Sequence, residues 1–496
     1  MRILQLGKFY PIKGGVEKVM LELTQGLSDQ DIDCDMLCAH AQSGSLRIRL
    51  NGHGRVICCR TLVKLASTMI APGMIFTLRR ECRLYDVIHL HCPDPMAALA
   101  LRLSGYKGKV VLHWHSDILK QRLLLKFYEP LQNWLIRRAD RIVCTTPVMR
   151  AESAYLQEVQ DKTIVIPIGI DAMETRPLSV KSVRKQYKGK KIIFSLGRLV
   201  EYKGYPYLIE AAKYLPDNYV VLIGGNGPLR EDLDQKIESE GLCGKVVMLG
   251  FIADEQKQAY YGACDVYCMS SMLKTEAFGI VQIEAMSCGK PVVATNIGGS
   301  GVSWVNKHGY SGLNVSPRDA KALADAIVTV TSDDKAYQDY CAHALNRFWT
   351  LFTKDKMLAS CEQLYEELVG MKPQEVVSPL AEEETLSATT IAEDMVFYVI
   401  KNLKLREVGD RYLLVDNDNK DMDFTRVYEL NKTAAWMWTR IKDGEPFTLQ
   451  TIVQEMMETF DAERDRVAAG VMRQLQYWQN NGLIGRLDTE REQNEA

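Results

Sequence analysis

Short apolar runs recur through the first 350 residues, each followed by a longer amphipathic stretch. Ile3–Gly7, Val87–Leu90, Val110–Trp114, Arg141–Thr145 and Thr163–Pro167 form one series. Lys191–Leu196, Tyr219–Ile223, Val246–Leu249, Val266–Met269 and Pro291–Thr295 form a second. These runs do not alternate between polar and apolar positions. Uninterrupted apolar strands belong to parallel sheets, which helices cover on both faces. The intervening stretches carry the helical period. Val16, Val19, Met20, Leu23 and Leu27 fall on one stripe of a helix over Val16–Leu27. The pattern predicts two doubly wound α/β halves joined near residues 172–189, the second closed by a helix over Phe352–Leu368.

The pattern then breaks. Residues 374–394 hold six acidic residues and no basic ones, with Pro379 among Ser and Thr, and read as a solvated linker. Beyond it, strand-like pieces at Phe397–Ile400 and Tyr412–Val415 lead into helical pieces at Lys432–Ile441, Leu449–Phe460 and Arg466–Asn480. The expected division is 1–180, 181–370, a linker at 371–394, a small α+β domain at 395–488 and a tail at 489–496. A length of 496 residues suits roughly three domains.

Composition excludes several classes. With 47% hydrophobic and 25% charged residues the chain is an ordinary globular one, neither disordered nor collagen-like. No apolar run reaches the roughly 18 residues that would span a bilayer, and Met1–Gly7 reads as a strand rather than a signal peptide. The 13 cysteines form no CxxC pair, which points to thiols in a reducing cytoplasm. The net charge of −2 conceals a basic region. Residues 41–150 carry 18 Lys and Arg against 6 Asp and Glu, so an anionic partner near that region is expected alongside plain surface charge.

Candidate chemistry gathers at strand ends. Gly14-Gly15 follows the first strand and opens the first helix, where backbone N–H groups can approach an anion closely. In Ser195-Leu-Gly-Arg-Leu-Val-Glu-Tyr-Lys-Gly204, Arg198 and Lys203 stand at the carboxyl end of a strand. That edge is where open α/β sheets bind ligands, and two cations there suit a diphosphate. Glu276 and Glu284 flank a segment, Phe278–Met286, that reads as helical, with the N–H groups of Phe278 and Gly279 at its start. Glu284 lies between Ile283 and Ala285 and needs a polar partner if buried. Four histidines, His89, His91, His113 and His115, sit at i, i+2 on two strands. A metal cluster is one reading, and buried strand residues with a role for His115 the favoured one. Asp416–Asp423 lacks the glycine and distal glutamate of a calcium loop and reads as an acidic hairpin turn.

These motifs together resemble the GT-B glycosyltransferases of family 4 over residues 1–370. The resemblance rests on Phe9-Tyr-Pro through Gly14-Gly15, Gly-Arg-Leu…Lys-Gly, Gly224-Gly-Asn-Gly-Pro228, and Glu-x7-Glu ahead of Glu284-Ala-Met-Ser-Cys-Gly-Lys-Pro291. It implies two Rossmann-like domains facing a cleft that holds a nucleotide-diphospho-sugar. By that resemblance Arg198 and Lys203 hold the diphosphate with Gly14, Gly15, Phe278 and Gly279. Glu284 takes the ribose, Glu276 the donor sugar hydroxyls, and His115 is the active-site histidine. It also implies retention of anomeric configuration by front-face displacement, with a UDP- or GDP-linked hexose as donor. No metal or further cofactor is implied, and no Asp-x-Asp motif stands in a suitable place. The chain departs from the family at Ile168, where an asparagine is common.

Residues 395–487 resemble the PqqD-like family, named after a pyrroloquinoline-quinone biosynthesis protein. Tyr428-Glu-Leu-Asn-Lys-Thr-Ala-Ala-Trp436, Asp443-Gly444 and Trp478-Gln-Asn-Asn-Gly-Leu-Ile484 carry the likeness. It implies recognition of a peptide or protein by strand addition. A balance of 13 basic to 14 acidic residues argues against nucleic acid. Trp436, Trp438 and Trp478 suit a peptide groove or, more readily, a core. Lys120, Arg122, Lys126, Arg137 and Arg138 interleave with Leu123, Leu124, Phe127, Trp134 and Leu135, as for a membrane leaflet or lipid-linked acceptor, or simply a helix core stripe. The expected protein is thus a cytoplasmic hexosyltransferase, peripheral to the inner membrane face, with a recruiting module. The alternatives are a silent recruiting scaffold and a sugar-nucleotide epimerase.

Overall fold

The protein is described from a computed structural model. It describes residues 1–370 apart from 13, 43, 66, 67 and 119–121, and beyond 395 the segments 396–399, 403–408, 411–416, 428–430, 432–441, 446–459 and 483–486 with a few single positions between them. Two compact units result, Met1–Glu383 and Glu384–Ala496.

The first unit contains two sheets. The first sheet comprises β1 (Arg2–Tyr10), β2 (Asp33–His40), β3 (Leu46–Arg49), β4 (Arg55–Arg60), β7 (Val87–Cys92), β8 (Lys109–Trp114), β9 (Arg141–Cys144) and β10 (Thr163–Val165), in the order β10-β9-β8-β7-β1-β2-β4-β3. A separate hairpin, β5 (Val63–Leu65) and β6 (Thr68–Ile70), stands beside it. All pairings in this sheet are parallel except β3 with β4. The second sheet runs β13-β12-β11-β14-β15-β16 and is wholly parallel. Its strands are β11 (Lys191–Leu196), β12 (Tyr219–Gly224), β13 (Val246–Gly250), β14 (Val266–Met269), β15 (Val292–Thr295) and β16 (Gly312–Val315). In each sheet the order reverses at a central strand, between β1 and β7 and between β11 and β14. Such switch points open crevices at the carboxyl edge.

The uniformly apolar runs are buried strands. Every residue of β7, β12, β14 and β15 is buried. The first helix spans Gly15–Asp29 and buries Val19, Met20, Leu23 and Leu27. One backbone departure is forced at Gly225, with φ +128. A Cβ there would stand 1.9 Å from the Gly197 carbonyl oxygen, so only glycine lets the β12 loop lie against the β11 loop.

The closing helix, Lys354–Val369, is capped by the Thr353 hydroxyl at its start and by left-handed Gly370 at its end. Leu358, Cys361 and Tyr365 pack into the same core as Ile3, Leu23 and Leu27 of the first sheet's half. Gly26 of the first helix faces Leu358. A chain segment beyond the second sheet therefore completes the core of the first. Ile168 is 5% exposed and joins this core, so that departure places an apolar side chain in an apolar setting.

The second unit contains two small sheets, β21-β17-β22 and β18-β19-β20. Their strands are β17 (Val396–Val399), β18 (Leu403–Val408), β19 (Arg411–Asp416), β20 (Tyr428–Leu430), β21 (Phe447–Thr448) and β22 (Ile484–Arg486), with helices at Lys432–Arg440 and Leu449–Thr459. Trp438 and Trp478 are buried and meet edge to face at 4.9 Å, and Trp436 packs against the same core. All three tryptophans thus belong to a core rather than to an open groove. The acidic run past Asp416 lies outside the described residues.

Candidate functional site

The expected donor residues assemble at the carboxyl edge of the second sheet. Lys203 ends a short 3-10 turn, Glu201–Lys203, and Gly204 follows in the left-handed region at φ 67. A Cβ at Gly204 would lie 2.1 Å from the Ser270 carbonyl oxygen, so this turn packs directly onto the loop after β14. The Met272 N–H donates to the Tyr202 carbonyl at 2.7 Å. That packing places Lys203 Nζ 2.5 Å from Glu276 Oε2. The Ser271 hydroxyl donates to the same carboxylate oxygen at 3.0 Å. Burial pulls the Lys203 ammonium down, but the Glu276 carboxylate, with Tyr202 and Tyr205, more than offsets it and holds the pKa above the ordinary lysine value. Lys203 is therefore a fixed cation.

Arg198 stands apart from this pair. It is exposed, and its guanidinium makes no hydrogen bond to a described residue. It lies close enough to Tyr202 to act on its hydroxyl electrostatically. The two cations differ in state: Lys203 is engaged by Glu276, and Arg198 is open.

The helix expected over Phe278–Met286 spans Ile280–Ser287 instead. Gly279, at φ 79, is its N-cap and needs the left-handed region that glycine tolerates. Phe278 lies ahead of the helix, its ring buried edge-on against Phe352 at 5.9 Å. The N–H groups of Phe278 and Gly279 donate to no described residue. Glu284 is buried, and the partner it requires is the Tyr261 hydroxyl, which donates to Oε2 at 2.7 Å. Glu276 and Glu284 both act electrostatically on the Tyr267 hydroxyl, which ties them to one neighbourhood.

The two halves of the unit meet at this edge. A Cβ on Gly15 would stand 3.0 Å from Ile280 Cδ1, so the Gly14-Gly15 start of the first helix faces the start of the Ile280–Ser287 helix. The Glu17 carboxylate lies over Gly14. Lys274 reaches across to Asp117 at 3.5 Å. Asp117 in turn accepts from Trp114 Nε1 at 2.9 Å and from the Ser153 hydroxyl at 2.7 Å. A small cavity between the halves is lined by Ser116, Asp117, Lys274 and Gly299. Asp117 and Lys274 were not anticipated. Their pairing depends on the closure of two domains, which no local pattern announces.

His115 sits where β8 ends, and its backbone N–H donates to the Cys92 carbonyl at 3.1 Å. Its ring stacks on His113 at 4.0 Å. Its Nε2 meets His91 Nδ1 at 2.9 Å, and His91 Nε2 meets Gln5 Oε1 at 2.8 Å. The Tyr365 hydroxyl stands 2.6 Å from His89 Nδ1. Burial, reinforced by the neighbouring imidazoles, holds His89, His91 and His115 well below the ordinary histidine pKa, and burial alone lowers His113 to about 3. All four rings are neutral near pH 7.

Ligand atoms of His89, His91 and His113 lie within 4.8 Å of one another. The rings of these three are stacked, with interplanar angles of 11–23°. Stacked rings aim their lone pairs side by side rather than at one point. The cluster is thus a buried stack of imidazoles.

Residues 13–174 match the model for glycosyltransferase family 4, residues 180–347 that for glycosyl transferases group 1, and residues 412–484 that for coenzyme PQQ synthesis protein D. The chain is 31% identical over 380 residues to the O-antigen chain mannosyltransferase C of Escherichia coli, covering 75% of this chain and 100% of that protein. It is 31% identical over 357 residues to the D-rhamnosyltransferase WbpZ of Pseudomonas aeruginosa, covering 71% and 92%. Among solved structures, HepE of Anabaena in complex with UDP shares the fold, with a TM-score of 0.60 at 24% identity over 74% of this chain and 100% of that one. Sucrose-phosphate synthase of Thermosynechococcus elongatus does so at 0.60 and 22%, over 75% and 100%. With its paired Rossmann-like sheets and its motifs in family order, the chain is a GT-B glycosyltransferase of family 4 that carries a C-terminal PqqD domain.

Proposed function

We propose that the protein transfers a hexose from a UDP- or GDP-linked donor to an acceptor hydroxyl, with retention of configuration and without a metal, in polysaccharide assembly. The observation that carries this reading is the Lys203–Glu276 ion pair at the carboxyl edge of the second sheet, in the same half as exposed Arg198 and the unbonded N–H groups of Phe278 and Gly279, whose helix start faces Gly15. Cations and oriented N–H groups stabilise a departing diphosphate as its charge develops. Arg198 supplies a planar fork, Lys203 a point charge, and the helix starts at Gly15 and Gly279 supply dipoles. Glu276 is placed to accept from donor sugar hydroxyls once the diphosphate draws Lys203 towards itself. Glu284, oriented by Tyr261, holds the ribose. His115 lines the acceptor side as a neutral ring. The hexose class agrees with the named mannosyl- and D-rhamnosyltransferase relatives.

A thermal-shift screen with UDP-, GDP- and ADP-sugars tests donor binding. A ligand at 100 times its Kd raises stability by about 2.7 kcal/mol, so one base is expected to raise the melting temperature by several degrees. Product analysis with that donor then separates the classes. Transfer to an added acceptor supports this reading, and isomerised sugar nucleotide formed without acceptor overturns it.

The acceptor side carries the membrane reading. Hairpin β5–β6 exposes Val63 and Leu65 around Lys64, and Phe127 is 85% exposed beside Lys126. Leu135 of the same helix is fully buried, so only part of that apolar stripe faces outward. Lys120, Arg122, Leu123 and Leu124 lie outside the described side chains. No helix among the described residues is long and apolar enough to cross a membrane. Peripheral docking to an anionic leaflet, at about 1 kcal/mol per cation, is the form proposed. The full chain is expected to float with anionic vesicles at low salt, and Val63→Asp with Phe127→Asp to weaken flotation. Failure of the unmodified protein to float overturns the idea. The second unit is proposed to recruit a peptide or protein by pairing with an edge strand such as β18.

A further inference from the structure

A hydrogen-bonded line runs from the closing helix to the active-site histidine. Gln5 lies at 0% exposure in the middle of β1, and its amide has Nε2 towards the Tyr365 hydroxyl at 3.3 Å and the Cys34 thiol at 3.8 Å. Its Oε1 then faces His91 Nε2 at 2.8 Å. A carbonyl oxygen only accepts, so His91 Nε2 carries the proton. A neutral imidazole has one N–H, which leaves His91 Nδ1 as an acceptor. The atom it meets, 2.9 Å away, is His115 Nε2, which must donate. His115 is then left with a bare Nδ1. That nitrogen makes no hydrogen bond to a described residue, and it is not among the sealed, partnerless atoms, unlike both nitrogens of His113.

We propose that Gln5 and His91 are positioning residues for glycosyl transfer: anchored by Tyr365, they fix His115 as its Nε2–H tautomer, so that the Nδ1 lone pair accepts a hydrogen bond from a hydroxyl of the bound sugar or acceptor. The proposal rests on the transferase reading and adds which hydroxyl chemistry His115 recognises: a donor hydrogen, not a lone pair. Reversing the Gln5 amide would reverse every link. His91 Nδ1 would donate, and His115 would present an N–H to the cleft. Tyr365 anchors the amide in this orientation: its hydroxyl accepts from Gln5 Nε2 at 3.3 Å and then has its own hydrogen to donate to His89 Nδ1, 2.6 Å away. The residue that anchors the line thus comes from the helix that returns after the second sheet.

The test is histidine 15N NMR of the full-length protein without substrate, with His115 assigned by loss of its signals in His115→Asn. The expected result is protonated Nε2 and bare Nδ1 at both His91 and His115. A protonated Nδ1 at His115 overturns the proposal. Gln5→Met removes the amide at similar size. It is expected to give mixed His115 tautomers and a kcat about tenfold or more lower, with KM for the donor nearly unchanged. Wild-type tautomer and wild-type kcat in Gln5→Met would also overturn it. Should Gln5→Met fail to fold, Tyr365→Phe serves, with the same direction of change expected in both readouts and the same overturning result. The tautomer is read without turnover, so the two readings fail separately. If no sugar nucleotide is processed while the expected tautomer stands, the transferase chemistry fails and the hydrogen-bonded line remains.

Discussion

Lys203→Ala is expected to lower kcat for transfer by about 100- to 1,000-fold, the usual effect of removing one preorganised donor from a developing anion. It also has a structural cost. The Lys203 and Glu276 side chains are only 12% and 11% exposed, and removing one partner of a buried pair strands the other, at about 3–5 kcal/mol. A drop in activity alone would therefore not separate chemistry from folding. The double variant Lys203→Met with Glu276→Gln does so, because it leaves no uncompensated charge. Its melting temperature is expected to recover most of the loss while transfer stays as low as in the single variant. Arg198→Ala completes the set, since Arg198 is exposed and bonded to nothing described. It is expected to leave stability unchanged and still reduce transfer at least tenfold. Full activity in both Lys203→Ala and Arg198→Ala would remove the diphosphate site from this edge.

Stability of the first unit is expected to fall steeply below pH 6.5. The sign follows from the direction of the four histidine shifts. Each buried ring has a folded pKa below that of the unfolded chain, near 6.5. Below that value the unfolded state binds protons that the native state refuses, so stability drops as pH falls. For His113 the window extends from about 6.5 down to about 3. Each such histidine contributes up to about 1.4 kcal/mol per pH unit, and four acting together would exhaust a typical margin of about 5–15 kcal/mol within a few units. Denaturant titrations from pH 7.5 to 5 check this. His113→Asn should flatten the slope by about one proton, and an unchanged stability between pH 7 and 5 would contradict the buried neutral stack. Both nitrogens of His113 lack described partners, so its replacement by a smaller residue costs little hydrogen bonding.

Much of this was legible in the sequence, for reasons that also explain the omissions. β11 and β14 match the reading residue for residue, because uninterrupted apolar runs between glycine and charged turns admit few other structures. β2 was not anticipated, since Asp33 and Asp35 interrupt its apolar run. In the fold Asp35 is buried, accepting from the Tyr85 hydroxyl at 2.6 Å and from Arg55 Nε at 3.0 Å. That satisfaction comes from residues 20 and 50 positions away. β16 was missed because it is four residues long and contains Asn314. Arg198, Lys203, Glu276 and Glu284 were readable because each sits in a local motif. The start of the Ile280–Ser287 helix was read two residues early, since the apolar pattern runs through Phe278 while the left-handed Gly279 sets the boundary. Gln5 and Tyr365 carry no local signal. They meet across 360 positions, and only tertiary packing pairs them.

The closing helix also imposes an order on biosynthesis. Ile3, Leu23 and Leu27 share their core with Leu358 and Tyr365, so the first half cannot be sealed while it emerges from the ribosome. At about 5–20 residues per second, its open flank waits on the order of ten to forty seconds for the last segment to arrive. A nascent chain arrested before that helix would present this apolar flank to chaperones, and one arrested just after it would not.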